Sequence, residues 1–153
     1  MAAYFFDSSA LVKRYAREDG TAWMLGLIRP SAGNVIYAAR ITYVETTAAI
    51  ARKRRSTHLS PLAAGRALAR VRRDFAHRFI ITEVSPLVCE RAALLADKHY
   101  LRGYDAVQLA AALETQDERT RMRLSSLVFV TADKDLLSAA PVEGLLTDNP
   151  ENH

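Results

Sequence analysis

Short apolar runs alternate along this chain with longer stretches in which apolar residues recur every three or four positions. The runs Tyr4-Phe5-Phe6, Val35-Ile36-Tyr37 within residues 34–38, Phe79 to Val84 and Leu127 to Thr131 have the length and continuity of strands buried on both faces. The stretches between them read as helices. One follows Ser8 or Ser9 as N-cap and runs to Ala16, before Asp19-Gly20 breaks it; another spans Thr21 to Ile28 and stops near Pro30. Thr42 to Arg55 carries an apolar stripe of Val44, Ala48 and Ala51. Ser60-Pro61 and Ser85-Pro86 are helix starts, with serine as cap and proline in the first helical position, for helices reaching His77 and Tyr100. Tyr104 to Gln116 and Asp133 to Ala140 are the last two helices, and residues 144–147 form a short edge strand.

Strands alternating with helices predict an α/β protein in which a central parallel sheet is covered on both sides, a three-layer α/β/α arrangement. No linker, repeat or low-complexity segment divides the chain, so residues 1–147 are expected to form one domain and residues 148–153 a loose polar tail. In sheets of this kind, sites gather at the carboxyl ends of the strands.

Composition narrows the function classes. The chain has 153 residues, half of them hydrophobic and a quarter charged, which fits a single globular core. No apolar run approaches the ~20 residues of a membrane span, and the acid at Asp7 interrupts the N-terminus too early for a signal peptide. The lone Cys89 excludes an internal disulfide and suits a reducing compartment; with Val88 and Ala92 beside it, it reads as a buried, inert thiol. These features predict a cytoplasmic protein with no membrane contact. The net charge of +4 is unevenly spread. Between Arg52 and Arg78 there are nine basic residues and one acid, so that segment carries +8 and the remainder −4. Arg52, Lys53, Arg54 and Arg55, with Arg66, Arg70 and Arg73 on one helical face, are candidates to hold backbone phosphates, although a solvated helix face has the same composition.

Four acids stand in apolar surroundings. Asp7 ends the first strand, Asp133 follows the fourth, and Glu45 and Asp105 lie within or at the head of helices. Carboxylates avoid burial unless paired or bound to a cation. Two of them about 4 Å apart repel by roughly 4 kcal/mol at an effective dielectric near 20. A hard cation such as Mg²⁺ or Mn²⁺ reverses that sign. Each acid alone has a plainer explanation. Asp7 and Asp133 are placed to cap helices, Asp105 to complement a helix dipole, and Glu45 to face solvent. Asp135 reads as a surface acid or a fifth member. None of His58, His77, His99 and His153 falls in a metal-ligand spacing, and Trp23 reads as a core or interface residue.

Four segments in order carry a resemblance. They are Tyr4-Phe5-Phe6-Asp7-Ser8-Ser9-Ala10-Leu11-Val12-Lys13, then Glu45 on the helix after the second strand, then Arg102-Gly103-Tyr104-Asp105-Ala106-Val107-Gln108-Leu109-Ala110, then Val128-Phe129-Val130-Thr131-Ala132-Asp133-Lys134-Asp135. Together they resemble the PIN-domain proteins, and more narrowly the VapC-type toxins of toxin–antitoxin modules. Ser9 departs from the asparagine that many relatives carry two places after the first aspartate. The resemblance implies a Mg²⁺- or Mn²⁺-dependent endoribonuclease, with Asp7, Glu45, Asp105 and Asp133 as the acidic quartet and a hydroxyl role on Thr131 and on Ser9. Asp7, Asp105 and Asp133 would hold the metal and Glu45 would handle the attacking water, while Ser9 joins the basic residues as a substrate contact. It further implies a homodimer, a VapB-type antitoxin, an RNA substrate, and operator DNA met only through the antitoxin complex. Two other classes stay open: a metal-dependent phosphatase or phosphoacceptor, which would want a second Asp where Ser9 stands, and a non-catalytic acidic-pocket binding module.

Overall fold

The computed structural model describes residues 1–153. Five strands form one sheet: β1 (Ala3–Phe6), β2 (Val35–Ala39), β3 (Ile80–Thr82), β4 (Leu127–Val130) and β5 (Leu146–Asp148). Their order is β3-β2-β1-β4-β5 and every neighbouring pair is parallel. The helices are α1 (Ser8–Leu11), α2 (Thr21–Ile28), α3 (Arg40–Arg55), α4 (Pro61–His77), α5 (Pro86–His99), α6 (Gly103–Arg121) and α7 (Lys134–Val142). None is long and apolar enough to cross a membrane.

The two-residue period of a strand sorts the core into two halves. On one face, Ala3 and Phe5 of β1, Ala39 of β2 and Leu127 and Phe129 of β4 pack against α5, α6 and α7 through Val88, Leu95, Leu109, Leu113 and Leu136. On the other, Phe6, Ile36, Ala38 and Val130 meet α1 to α4 through Leu11, Met24, Ile50, Val71 and Phe75. Both faces are therefore apolar, which is why the strands read as continuous runs, and the three-layer architecture follows.

Several local expectations need correction. The inward face of α3 is Thr42, Thr46 and Ile50, while Val44 is exposed, so the stripe inferred from Val44, Ala48 and Ala51 was rotated away from the true contact. Two threonines hide the real stripe because a hydropathy pattern scores them as polar. Cys89 is exposed rather than buried. Its helix turns Val88, Ala92 and Leu95 inward, and a neighbour one position on points about 100° away. The helix after Ser8 ends at Leu11 and continues as a 3₁₀ turn over Val12–Arg14. Helix α6 runs past Gln116 to Arg121 because its charged end is made of good helix formers and is tied down. Arg119, buried there, donates to the Tyr37 hydroxyl at 3.0 Å and to the Ser125 carbonyl at 2.9 Å.

The C-terminal residues are packed, not loose. Asp148 ends β5, and Pro150–Asn152 form a 3₁₀ turn with Pro150 buried. Glu151 accepts from the buried Lys13 ammonium at 2.9 Å, and the His153 ring stacks on Trp23 at 4.2 Å between centroids. Gly20 makes this possible. Its backbone has φ +85°, and a Cβ there would lie 2.4 Å from the Pro150 carbonyl oxygen.

Candidate active site

The site is assembled at the carboxyl ends of the two central strands. β1 and β4 are neighbours in register, with Phe6 opposite Val130. The residues that leave them, Asp7 and Thr131, therefore emerge side by side. Asp7 is 2% exposed, and Thr131 is fully buried. Thr131 Oγ1 donates to Asp7 Oδ2 at 2.7 Å and accepts from the Asp133 amide at 3.0 Å. One hydroxyl thus ties the first aspartate to the loop that carries the last.

Both aspartates do cap helices. Asp7 Oδ1 accepts from the Ala10 amide at 2.9 Å, and Asp133 Oδ1 from the Leu136 amide at 2.9 Å. Capping fixes each carboxylate at the end of its strand and does not exhaust it. Asp7 also accepts from Ser9 Oγ, which lies 2.8 and 2.9 Å from its two oxygens. A hydroxyl has one proton and can serve only one of them at a time, so an acceptor position on Asp7 stays free. Ser9 was expected to touch substrate. In the structure its hydroxyl donates its proton to Asp7 and accepts from the Ala132 amide at 2.9 Å.

Burial pushes the Asp7 carboxyl up from 3.8 to about 6, against the donors Thr131, Ala10 and Ser9 and with a contribution from the Asp133 charge. Glu45, in the second turn of α3, is also pushed up by burial. Its Oε1 accepts from Gln108 Nε2 at 2.6 Å and its Oε2 from Ser8 Oγ at 3.2 Å, both favouring the charged form. Asp105, in the first turn of α6, is raised by burial and then by Asp133, with Glu45 and Asp135 adding to it and Arg102 opposing. Four carboxylates thus sense one another across four different segments, and Asp135, itself exposed, stands at their margin.

No three of them converge closely enough to hold a metal ion as they stand. The raised carboxyls owe their shift first to burial, with neighbouring acids adding to it at Asp7 and Asp105. Asp7, Glu45 and Asp105, each raised by burial, together with Asp133 make an all-oxygen set whose chemistry fits a hard divalent cation.

The basic residues are not among the acids. Arg66, Arg70 and Arg73 are exposed on α4 and line a surface cavity of about 560 Å³ with Tyr15 and Leu59. A second cavity of about 350 Å³ adjoins it through Arg70 and Arg73 and is lined by Arg14, Asp74, His77 and Arg78. Within it Asp74 accepts from Arg14 Nε at 2.7 Å and from the Tyr15 hydroxyl at 2.8 Å. Arg66, Arg70 and Arg73 have no acidic partner among the ion pairs of the structure, whereas Lys53 is engaged with Glu18 and is not free. Arg52, Arg54 and Arg55 are exposed at the end of α3. Sequence reasoning missed Ser8, Thr42 and Gln108. The signal available for Gln108 was an amide one helical turn after Asp105 in an otherwise Ala- and Leu-rich helix.

Comparison with known proteins agrees with this architecture. The family model for the PIN domain matches residues 4–141. Ribonuclease VapC45 and Ribonuclease VapC49 of Mycobacterium tuberculosis are each 33% identical to this chain over 120 residues, covering 76% of it and 79% of the relative. Among solved structures, a protein of Pyrobaculum aerophilum superposes with TM-score 0.63 at 24% identity, covering 95% of this chain and 90% of that one. The structure of VapBC2 from Rickettsia felis bound to a DNA fragment from its promoter matches with TM-score 0.62 at 14% identity, over 96% of this chain and 98% of the other.

Proposed function

From the premise that the chain belongs to the PIN-domain family, in its VapC branch, we propose that it is the toxin of a type II toxin–antitoxin pair, a Mg²⁺- or Mn²⁺-dependent endoribonuclease that hydrolyses RNA phosphodiester bonds. The observation that carries this reading is the joining of Asp7 to the Asp133 loop by Thr131, with Asp105 coupled to both Asp133 and Glu45.

Asp7, Asp105 and Asp133 would hold the cation. Bound there, it would supply positive charge to the scissile phosphate and make the attacking water more acidic. Thr131 keeps Asp7 ionised by donating to it, and Ser9 and the Ala10 amide do the same. Glu45, whose charge acts on Asp105, has both oxygens held by neutral donors, so it is oriented and retains lone pairs. It takes the proton from the water as oxygen attacks phosphorus, and the bond to the leaving ribose oxygen breaks, that oxygen taking a proton from solvent. Arg66, Arg70 and Arg73 bind backbone phosphates, contacts that carry affinity without reading sequence.

The partners follow the same reading. A VapB-type antitoxin would neutralise the acids with a basic side chain, an ion pair strengthened by the site's partial burial. The toxin would act in the cytoplasm as a homodimer, and operator DNA would be met through the antitoxin complex; the Rickettsia felis VapBC2 structure contains a DNA fragment from its own promoter.

The test is cleavage of total cellular RNA by purified protein with Mg²⁺ or Mn²⁺, against EDTA and against Asp7→Ala. Discrete metal-dependent products absent from the variant are expected. Cleavage that survives in Asp7→Ala or in EDTA would overturn the assignment.

A further inference from the structure

Asp105 and Gln108 lie one turn apart on the same face of α6, and Thr42 and Glu45 occupy the equivalent positions on α3. The two faces are linked by one amide. Gln108 is 1% exposed. Its Nε2 donates to Glu45 Oε1 at 2.6 Å and to Thr42 Oγ1 at 2.8 Å, and Thr42 Oγ1 lies 3.1 Å from Gln108 Oε1, to which its proton can go. Both amide hydrogens therefore have acceptors and the amide oxygen has a donor. An amide turned over would set its oxygen against the Glu45 carboxylate, two acceptors with no proton between them. Thr42 is fully buried and cannot trade that contact for water. Its hydroxyl can donate to one amide atom and accept from the other in either orientation, so it is the Glu45 carboxylate that turns the NH₂ toward itself.

Helices α3 and α6 pack on opposite faces of the sheet, and that packing does not need this link. A glutamine costs desolvation in a core and is retained stably only when its groups are satisfied. Here all of them are satisfied, and the one charged acceptor they serve is the carboxylate assigned to the attacking water. The same amide belongs to the helix that carries Asp105 in its first turn. Any shift of α3 against α6 would break it, so the distance between Glu45 and Asp105 is set by a side chain that touches neither substrate nor cation.

We propose that Gln108 is a positioning residue: braced by Thr42, it clamps the Glu45 carboxylate from α6 and fixes it relative to Asp105. The proposal rests on the nuclease reading for its consequence in turnover, and on geometry alone for the clamp. Ser8, the first residue of α1, holds the other oxygen of Glu45 at a longer 3.2 Å. With Gln108 gone, the carboxylate would hang from that single weaker donor.

Two measurements on the full chain separate clamp from nuclease. The first is independent of activity. In ¹⁵N-labelled protein, the Gln108 side-chain NH₂ should exchange slowly with solvent and resonate as a hydrogen-bonded pair. Glu45→Ala should move its signals and speed its exchange at least about tenfold, whereas Arg66→Ala, remote on α4, should leave them in place. The second is steady-state RNA cleavage. Gln108→Met keeps the volume and removes the donors; it should lower kcat at least about tenfold while KM changes less than about twofold. Thr42→Val should lower kcat in the same way, and Thr42→Ser, which restores the hydroxyl, should recover it. A merely structural role would show as equal loss in the Val and Ser variants, or as a lower unfolding midpoint with kcat intact, and either would overturn the proposal. So would Gln108 signals indifferent to Glu45→Ala. If the wild type cleaves no RNA, the nuclease reading fails and the amide signals alone decide the clamp.

Discussion

Asp7 offers a test of the site that needs no substrate. Its carboxyl is fully buried in the folded chain and titrates at about 6 there, against 3.8 for an exposed aspartate. The folded state therefore binds a proton more tightly than the unfolded state does. Between roughly pH 4 and pH 6 it holds more protons, so stability must fall as pH rises. The full contribution is present below the unfolded value and is lost as pH rises through the folded one. A shift of about two units corresponds to about 3 kcal/mol, or a fall of roughly 6–12 °C in Tm for a domain of this length.

Asp7→Asn removes the titration while keeping shape. At both ends of the range it will differ from wild type, because its NH₂ faces the donors Ser9, Thr131 and the Ala10 amide. The informative quantity is the change in that difference. In EDTA, urea unfolding of both proteins at pH 4 and pH 8 should show wild type losing about 2.4 kcal/mol more than Asp7→Asn, because at pH 4 the unfolded chain is already partly ionised. A gap that stays constant within about 1 kcal/mol would refute the argument. Mn²⁺ added at pH 8 should return the loss to wild type, about 2.7 kcal/mol at a hundredfold excess over Kd, and not to the variant.

The remaining predictions concern other parts of the molecule. Gly20→Ala should destabilise by about 2 kcal/mol or more, since the backbone is left-handed and the new Cβ would strike the Pro150 carbonyl; unstacking of His153 from Trp23 should appear as a change in tryptophan fluorescence. Cys89, exposed in the native fold, should react fully with a thiol reagent without denaturant, and slow labelling that requires urea would contradict its placement. Charge reversal at Arg70 and Arg73 should raise KM for RNA at least about tenfold with kcat nearly unchanged, and should flatten the salt dependence of binding; unaltered KM would move the phosphate contacts elsewhere, with exposed Arg52, Arg54 and Arg55 the next candidates.

What could be read from the chain and what could not divide along one physical line. Strands buried on both faces announce themselves, because every position in Tyr4-Phe5-Phe6 or Leu127-Val128-Phe129-Val130 must be apolar whichever way it points. The acids after β1 and β4 are conspicuous for the same reason, since charge interrupts a run that is otherwise without it. A helix is different: each residue's role depends on its angle to neighbours that the sequence does not specify. Thr42, Thr46 and Cys89 were misjudged on that account, the first two because a threonine can be wholly buried, the third because one step of rotation separates Val88 from solvent. The packing of the C-terminus was equally hidden. It depends on Lys13, Gly20 and Trp23, more than a hundred residues earlier, and no local pattern reports a contact of that range. Gln108 joins both cases. As a polar residue in an apolar helix it was visible as an anomaly, but only the facing pair Thr42 and Glu45 gives that anomaly a reason. A buried amide with every hydrogen bond satisfied is the kind of residue whose purpose lies in its neighbours, so a sequence can mark such a position and leave its role to the fold.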